Sequence, residues 1–206
     1  QFIARNDISI MILNDSFTEI AKGDHKVVPV SFDTMAGKQS SLGFTRASGK
    51  PLTETINPIY TKQAYIEFVL PELLKSTAKL YDEEEWVLGS YASLKSSETD
   101  TLKEAKSAYF QRYISAWNRY IADIRLKQPR NLREARDIAK ILSNTSNSPL
   151  QKIIEGISDN TTLDISKQIE GSDNSVVKDT IDRLVSRAGF GNLQNNAGYV
   201  KDNYID

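Results

Sequence analysis

Cysteine and histidine, on which most nucleophilic and metal chemistry depends, are almost missing from this sequence. The 206 residues contain no cysteine and one histidine, His25. Without cysteine there is no thiol nucleophile, disulfide framework, iron–sulfur ligation or Cys-based zinc site. A single imidazole also excludes HExxH and other multi-histidine metal sites. We therefore expect no metal and no cofactor, and we interpret His25 as a surface residue.

A glycine-bracketed segment at 43–50, GFTRASGK, resembles a phosphate-binding loop. Such a loop needs four residues between its glycines, so that successive amides surround the phosphates, and Ser or Thr after the lysine to hold magnesium. Here five residues separate Gly43 from Gly49, and Pro51 follows Lys50. The segment is therefore interpreted as a turn rather than a nucleotide site.

Ser76 and Lys79 form the spacing of a penicillin-interactive serine enzyme, S-x-x-K, and Ser-Asp-Asn occurs at 158–160 and 172–174. In that chemistry the lysine activates the serine one helical turn away, and a K-T-G strand holds the substrate carboxylate. The chain has no K-T-G. Ser-Asp-Asn triplets are also ordinary turn and capping sequences. A serine acyl-transfer enzyme using Ser76 and Lys79 is kept as the alternative from another functional class.

Acidic and aromatic clusters are the remaining candidates for binding. Residues 82–85 are four consecutive acids, but consecutive positions on a helix point in different directions, whereas Ca²⁺ needs converging oxygens. Tyr109, Tyr113, Trp117 and Tyr120 could stack on nucleobases, yet single-strand binders also need a positive groove. With 26 Lys and Arg against 27 Asp and Glu, the net charge is −1. We therefore assign the aromatic residues to the core and expect no nucleic-acid partner.

Two or three short strands are predicted in the N-terminal quarter of the chain. Ile8, Ile10 and Ile12 alternate with other residues, as do Val28, Val30 and Phe32, and a period of two is typical of strands. Turn signals at 22–24 and 36–38 separate these segments. Proline at 51 and 58 favours an extended linker.

From residue 60 the apolar period changes to that of an amphipathic helix. Thr61 is a candidate N-cap for a helix to Leu70, and Pro71 is predicted either to kink that helix or to open the next, which ends at Gly89. Thr101 and Glu104 fit a capping box. It would open a helix of about 25 residues with one buried stripe: Leu102, Ala105, Tyr109, Tyr113, Trp117, Ile121 and Ile124.

Two further helices are predicted after Pro129. Asn131 caps the first, with Leu132, Ala135, Ile138, Ala139 and Leu142 inward; Ser148 and Pro149 open the second, with Leu150, Ile153, Ile154 and Ile157 inward. A last amphipathic stretch lies around Val177, Ile181, Leu184 and Val185. The predicted fold is mainly α, a helical bundle with a small N-terminal β element, α+β overall.

Three regions follow from these patterns. Residues 1–58 are predicted to be a small β-rich segment and extended linker, 59–188 a helical domain, and 189–206 a connector. No apolar stretch approaches the roughly 20 residues of a transmembrane helix. The first residue is glutamine and no signal peptide follows it, so we interpret the chain as a piece of a larger protein.

Short motifs follow one another between residues 46 and 150. They are Arg46-Ala-Ser-Gly-Lys-Pro-Leu52, Ile59-Tyr60-Thr61, Val69-Leu-Pro-Glu72, Glu85-Trp86-Val87-Leu88-Gly89, Tyr113-Ile114 with Trp117, and Ser148-Pro149-Leu150. In this order they resemble the IcmF/TssM family of bacterial type VI secretion, with relatives in type IVB secretion. The likeness is collinear over 42–157. Its structural motif positions are Tyr60, Thr61, Pro71, Trp86, Gly89, Tyr113, Trp117, Ser148 and Pro149.

This resemblance implies a periplasmic fragment of a bacterial inner-membrane protein, lying before a C-terminal β-domain toward which 189–206 would connect. The implied role is a non-catalytic scaffold that links the inner membrane to the outer-membrane lipoprotein TssJ, with the downstream β-domain needed for binding. Other copies of TssM, and the inner-membrane protein TssL in the full-length protein, are the other implied partners. An equivalent scaffold of a type IVB system is the alternative within the family. Trp86 and Trp117 would be packing anchors.

Overall fold

The computed structural model describes residues 5–37, 39–88, 94–144 and 148–163. The described chain is mainly helical with one small antiparallel sheet, so the predicted fold class is confirmed. The principal helices are α1 (Arg5–Lys22), α2 (Phe32–Ala36), α3 (Ser40–Gly43), α4 (Lys62–Ala64), α5 (Leu70–Leu88), α6 (Leu94–Ala122), α7 (Leu132–Leu142) and α8 (Pro149–Thr161). The strands are β1 (Phe44–Arg46) and β2 (Ile124–Leu126). None of the helices in the described ranges has the length and apolarity needed to cross a bilayer.

The predicted strand at residues 8–12 is wrong, because this segment lies inside helix α1. Between residues 8 and 22 of α1, the buried residues are Ser9, Ile12, Leu13 and Ser16, at the spacing of one helix face. Two of the four are serines, so the helical period is not visible when only apolar residues are counted. The Ser16 hydroxyl donates to the Ile12 carbonyl within the helix, 2.8 Å away, which satisfies this buried group.

The predicted strand at 28–32 is also wrong. Ser31 is the N-cap of α2, accepting a bond from the Thr34 amide in a capping box, and its backbone makes only an isolated bridge to Thr55. The sheet instead pairs β1 with β2, with Phe44 opposite Leu126 and Arg46 opposite Ile124. Residue 124, predicted to lie at the end of a helix, is therefore the first residue of β2.

The helix around Pro71 continues without a break through a π-helical segment, Tyr65–Val69, between α4 and α5. Proline cannot donate the amide bond that the Glu67 carbonyl would otherwise accept. In the π segment the Leu70 amide bonds to the Tyr65 carbonyl, one residue farther than in an α-helix. Pro71 therefore lies at the second position of α5, directly after the π-helical segment.

Helix α6 is 29 residues long and begins at Leu94, seven residues before the predicted cap. Thr101 is therefore inside the helix, and its hydroxyl bonds to that of Tyr81 on α5 at 2.8 Å, so the capping-box prediction is wrong. The predicted stripe is confirmed for five residues: Leu102, Ala105, Tyr109, Tyr113 and Trp117 are all buried. Residues 121 and 124 are only half-buried.

The predicted starts of α7 and α8 are confirmed. The Asn131 side chain accepts from the Glu134 amide, and that of Ser148 from the Gln151 amide, with Pro149 at the first helical turn. Their predicted buried faces are wrong in part. In α7 only Ile138 is buried, while Leu132 is 90% exposed. In α8, Leu150 and Ile154 are 43% and 67% exposed.

The chain forms two compact units. Of the described residues, the first unit contains those up to 26 and 63–113, and the second contains 27–62 and 114–163. In the second unit α8 packs closely on α2, since a Cβ at Gly156 would lie only 2.7 Å from Cγ of Met35. Gly89, the stretch at 177–185 and the connector at 189–206 lie outside the described residues, and the predicted boundaries at 58 and 188 stay predictions.

Candidate functional site

The first unit has a core of aromatic rings that joins the π-helical segment to α6. Tyr65 stacks on Tyr109 with the ring centroids 5.4 Å apart, and it also meets Phe110 at 5.2 Å. Phe17 of α1 approaches Tyr109 edge-on at 6.2 Å. Such contacts add to the free energy gained by burying the rings. The aromatic stripe is therefore core, as predicted, and does not form an open stacking surface.

This core also contains a buried hydroxyl group, that of Tyr65. The Tyr65 hydroxyl is fully buried and makes no hydrogen bond among the described residues. Burial raises the pKa of Tyr65 far above its usual value, because the phenolate would lose its hydration. The hydroxyl is thus neutral at any ordinary pH, and it represents a small loss of stability rather than a reactive group.

Lys106 interrupts the buried face of α6 with a cation, and sequence reasoning missed it. Its exposed fraction is 5%, and the neighbouring residues Ala105 and Tyr109 of α6 are also buried. No ion pair or hydrogen bond with another described residue is found at Lys106. Desolvation lowers the pKa of Lys106 to about 8. An amphipathic stripe gives no signal for such a residue, because lysines are normally placed on the solvent side.

In the second unit, Trp117 links α6 to the turn before α4. Its indole Nε1 donates to the Tyr60 carbonyl at 2.9 Å, and its ring meets Tyr120 edge-on at 6.3 Å. Thr61, which follows Tyr60 in the sequence, is buried. Its hydroxyl donates to the Pro58 carbonyl at 2.8 Å. Two of the predicted motif positions, Tyr60 and Trp117, are therefore in direct contact.

A partly buried polar cluster in the same unit centres on Arg46 and Asp123. Arg46 Nε lies 2.6 Å from Asp123 Oδ2, and its Nη1 lies 3.4 Å from Glu54 Oε2. The Ser48 hydroxyl donates to Asp123 Oδ2 at 2.6 Å, and the Ser48 amide to Oδ1 at 2.7 Å. The hydrogen bond from the Ser48 hydroxyl, followed by that from Arg46, lowers the pKa of Asp123 to about 2. The carboxylate is therefore ionised and held by several donors.

Tyr120 completes this cluster by joining three chain segments. Its hydroxyl accepts the Phe32 amide at 2.6 Å and donates to the Glu54 carbonyl at 3.1 Å. The Arg46 guanidinium lies 5.1 Å from the centre of its ring, within cation–π distance. Burial raises the pKa of Tyr120. The hydroxyl therefore acts as donor and acceptor to two backbone groups, which is a structural role.

The described candidate motifs lie in different elements, and the second Ser-Asp-Asn, at 172–174, lies outside the described residues. Gly43 ends α3, residues 44–46 form β1, and a turn at 47–48 leads to Gly49, whose φ is positive at 74°. On α5, Ser76 is half-buried and Lys79 exposed. Ser158, Asp159 and Asn160 occupy the last turns of α8, where the Ser158 carbonyl accepts the Thr162 amide. His25 is exposed and lies against Phe68, with ring centroids 4.3 Å apart.

The remaining motif positions are spread along the chain. Pro71 lies in α5, Tyr113 in α6, and Ser148 with Pro149 at the start of α8. Trp86 lies in α5, and Gly89 is outside the described residues. Arg46 and Asp123, which organise the polar cluster, are 77 residues apart in sequence. No local pattern connects two residues at that distance.

Comparison with known proteins identifies relatives over most of the chain. A family model described as IcmF-related, intracellular multiplication and human macrophage-killing, matches residues 13–162. The type VI secretion system component TssM1 of Pseudomonas aeruginosa is 32% identical over 155 residues, covering 75% of this chain and 14% of that protein. The fold resembles a chain of a type VI secretion system membrane core complex, with a TM-score of 0.54, 14% identity, and coverage of 94% of this chain and 36% of that one.

The family match includes Arg46, Asp123 and Trp117, the residues around which the second unit is organised. The chain spans about a seventh of the length of the TssM1 relative. On the match over residues 13–162, the chain belongs to the IcmF-related family.

Proposed function

We propose that this chain is a non-catalytic structural part of a type VI secretion membrane complex. The observation that carries the proposal is its 32% identity to TssM1 over 155 residues, supported by a fold similar to a membrane core complex chain. The type VI relative favours this system over a type IVB one. The geometry of the second unit supports a mechanical role, because Arg46, Asp123 and Tyr120 bond to backbone and to one another across distant segments.

We further propose a periplasmic location and a linking role between the inner membrane and the outer-membrane lipoprotein TssJ. This part of the proposal rests on the family resemblance of the motifs between residues 46 and 150. In it, residues 59–188 form the helical spacer, and 189–206 connect toward a C-terminal β-domain that contacts the lipoprotein. TssL and other copies of TssM would be the partners of the full-length protein.

A pull-down tests the linking role. The lipoprotein, without its lipid anchor, is immobilised and incubated with this chain or with a version extended past Asp206 through the β-domain. A lipoprotein of similar charge from another system is the control for non-specific capture. Capture of the extended version alone supports a spacer with a separate binding domain. Failure of both versions to bind contradicts the linking role.

A further inference from the structure

Exposed leucines lie around the segment that connects β2 with α7 in the second unit. Leu126, the last residue of β2, is 56% exposed, and Leu132, the first residue of α7, is 90% exposed. The chain between them spans at most about 20 Å, which limits the distance between their Cα atoms. Leu42, which is 54% exposed, precedes Gly43, whose carbonyl accepts the Lys127 amide at 2.8 Å. The three leucines therefore belong to one part of the surface.

The same segment carries more cations than its neighbouring acids can compensate. Residues 125–133 contain three arginines, one lysine and no acid. Two acids follow in α7. Glu134 is paired with Arg130 at 3.2 Å, and Asp137 is exposed one helical turn after Arg133. Even if each acid compensates one cation, two of the four positive charges remain.

The other groups next to the segment do not remove this excess. Asp123, just before β2, is already bonded to Arg46 at 2.6 Å. Arg125 donates to two backbone carbonyls, which are neutral. Lys127 contributes to the lowered pKa of Glu134, but less than the hydrogen bonds from the neighbouring arginine do, so the two cations share one negative charge. We call the three leucines and the four cations of 125–133 the connecting surface.

The composition of the connecting surface fits anionic lipid better than other partners. Leucines beside arginine and lysine are typical of protein surfaces that lie on such lipid. There the leucines enter the boundary between headgroups and acyl chains, and each cation near the headgroups adds electrostatic attraction. Residues 124–144 contain no aromatic residue. Single-stranded nucleic acid, by contrast, needs stacking rings, and protein interfaces are enriched in aromatic residues.

We propose that the connecting surface binds the anionic headgroups of a phospholipid bilayer. This inference deepens the proposed role in a membrane complex and rests on it, because it names the face of the second unit that would lie against the bilayer. Its test does not involve the lipoprotein. A chain that supports lipoprotein capture but ignores vesicles would contradict this inference alone, so the two proposals can fail separately.

Vesicle flotation of the purified chain tests the binding. The vesicles contain phosphatidylcholine alone, or with roughly 30% phosphatidylglycerol to give a negative surface potential. We expect the chain to float with the anionic vesicles at about 100 mM NaCl and to be released at about 500 mM, since screening shortens the range of the attraction. With the neutral vesicles the chain should stay at the bottom of the gradient.

A double variant tests the contribution of charge. Arg130→Gln/Arg133→Gln removes two exposed cations of the connecting surface and should weaken the apparent dissociation constant for anionic vesicles at least about tenfold. The matched control, Lys50→Gln/Arg119→Gln, removes two exposed cations elsewhere in the same unit. It should leave the constant unchanged. Far-UV circular dichroism checks that each variant is folded.

A second variant tests the contribution of the leucines. Leu132→Ser should weaken the constant about tenfold, because a leucine no longer leaves water on binding. Its control is Ile154→Ser, at a side chain of α8 that is 67% exposed in the same unit, and it should bind as the unmodified chain does.

Four results would overturn the proposal. The unmodified chain could bind anionic vesicles no better than neutral ones, or a folded connecting-surface variant could bind as tightly as the unmodified chain. An equal loss of binding in a control would show that overall charge or apolarity, rather than this surface, is responsible. Capture of the chain by polyglutamate beads without binding to vesicles would overturn the proposal in favour of an acidic protein partner.

Discussion

Replacing the buried Lys106 with methionine should stabilise the protein. Methionine keeps the length of the side chain and removes the charge that burial disfavours. One pKa unit corresponds to 1.36 kcal/mol, so a pKa lowered from 10.5 to about 8 represents roughly 3 kcal/mol against folding with the charged amine. We expect Lys106→Met to gain about 1–3 kcal/mol at pH 7, allowing for imperfect packing of the new side chain.

The sign of the pH dependence follows from the same shift. Between pH 8 and pH 10.5 the unfolded chain keeps the Lys106 proton and the folded chain has lost it. The free energy of unfolding therefore rises with pH across this window. The contribution of the neutral amine is complete above the pKa of the unfolded chain, and it is lost as the pH falls through the pKa of the folded chain. In Lys106→Met this rise should be absent.

Urea denaturation followed by far-UV circular dichroism at pH 7, 8, 9 and 10 measures both effects. Lys103→Met is the matched control, because Lys103 is exposed on the same helix and its replacement should change neither stability nor the pH profile. Parallel pH profiles for the unmodified chain and Lys106→Met, or a loss of stability in the variant, would refute the reasoning.

Three other substitutions test the packing and the polar cluster by the same denaturation assay. Trp117→Ala should lose about 3–5 kcal/mol, as for emptying a large aromatic site; a loss under about 1 kcal/mol would contradict its burial. Tyr65→Phe should be neutral or gain up to about 1 kcal/mol, because its hydroxyl has no partner among the described residues; a clear loss would reveal one. Asp123→Asn should be destabilised at pH 7. The greater stability of the unmodified chain should disappear as the pH falls from 3.8 through about 2. If the free energy of unfolding of the variant had the same dependence on acidic pH, the stabilising role of ionised Asp123 would be contradicted.

The fold class was predictable because the later helices have strong local signals. Asn131 and Ser148 cap their helices through side-chain hydrogen bonds to amides three residues later, so the capping pattern is visible in the local sequence. Helix α1 lacks such a signal, since Ser9 and Ser16 are among its buried residues. The strand at 124–126 follows α6 without a break in apolar pattern, and only its pairing with β1 distinguishes it from helix.

The polar cluster could not be predicted in the same way. Arg46 belongs to a motif that the family resemblance singles out, but its partner Asp123 is 77 residues away. Tyr120 was recognised as aromatic core, whereas its hydroxyl bonds to segments 88 and 66 residues away in sequence. Tertiary contacts of this kind depend on the assembled fold, so residue type and spacing alone do not reveal them.

A secretion assay tests the scaffold interpretation most directly. In a type VI-competent strain, the gene for a full-length family member containing this region would carry either Ser76→Ala/Lys79→Met or Trp117→Ala. A scaffold predicts that the first variant releases secreted protein into the medium as the parent does, while the second, with its packing emptied, releases little. Loss of secretion in the Ser76 and Lys79 variant, at unchanged protein level and folding, would contradict the account.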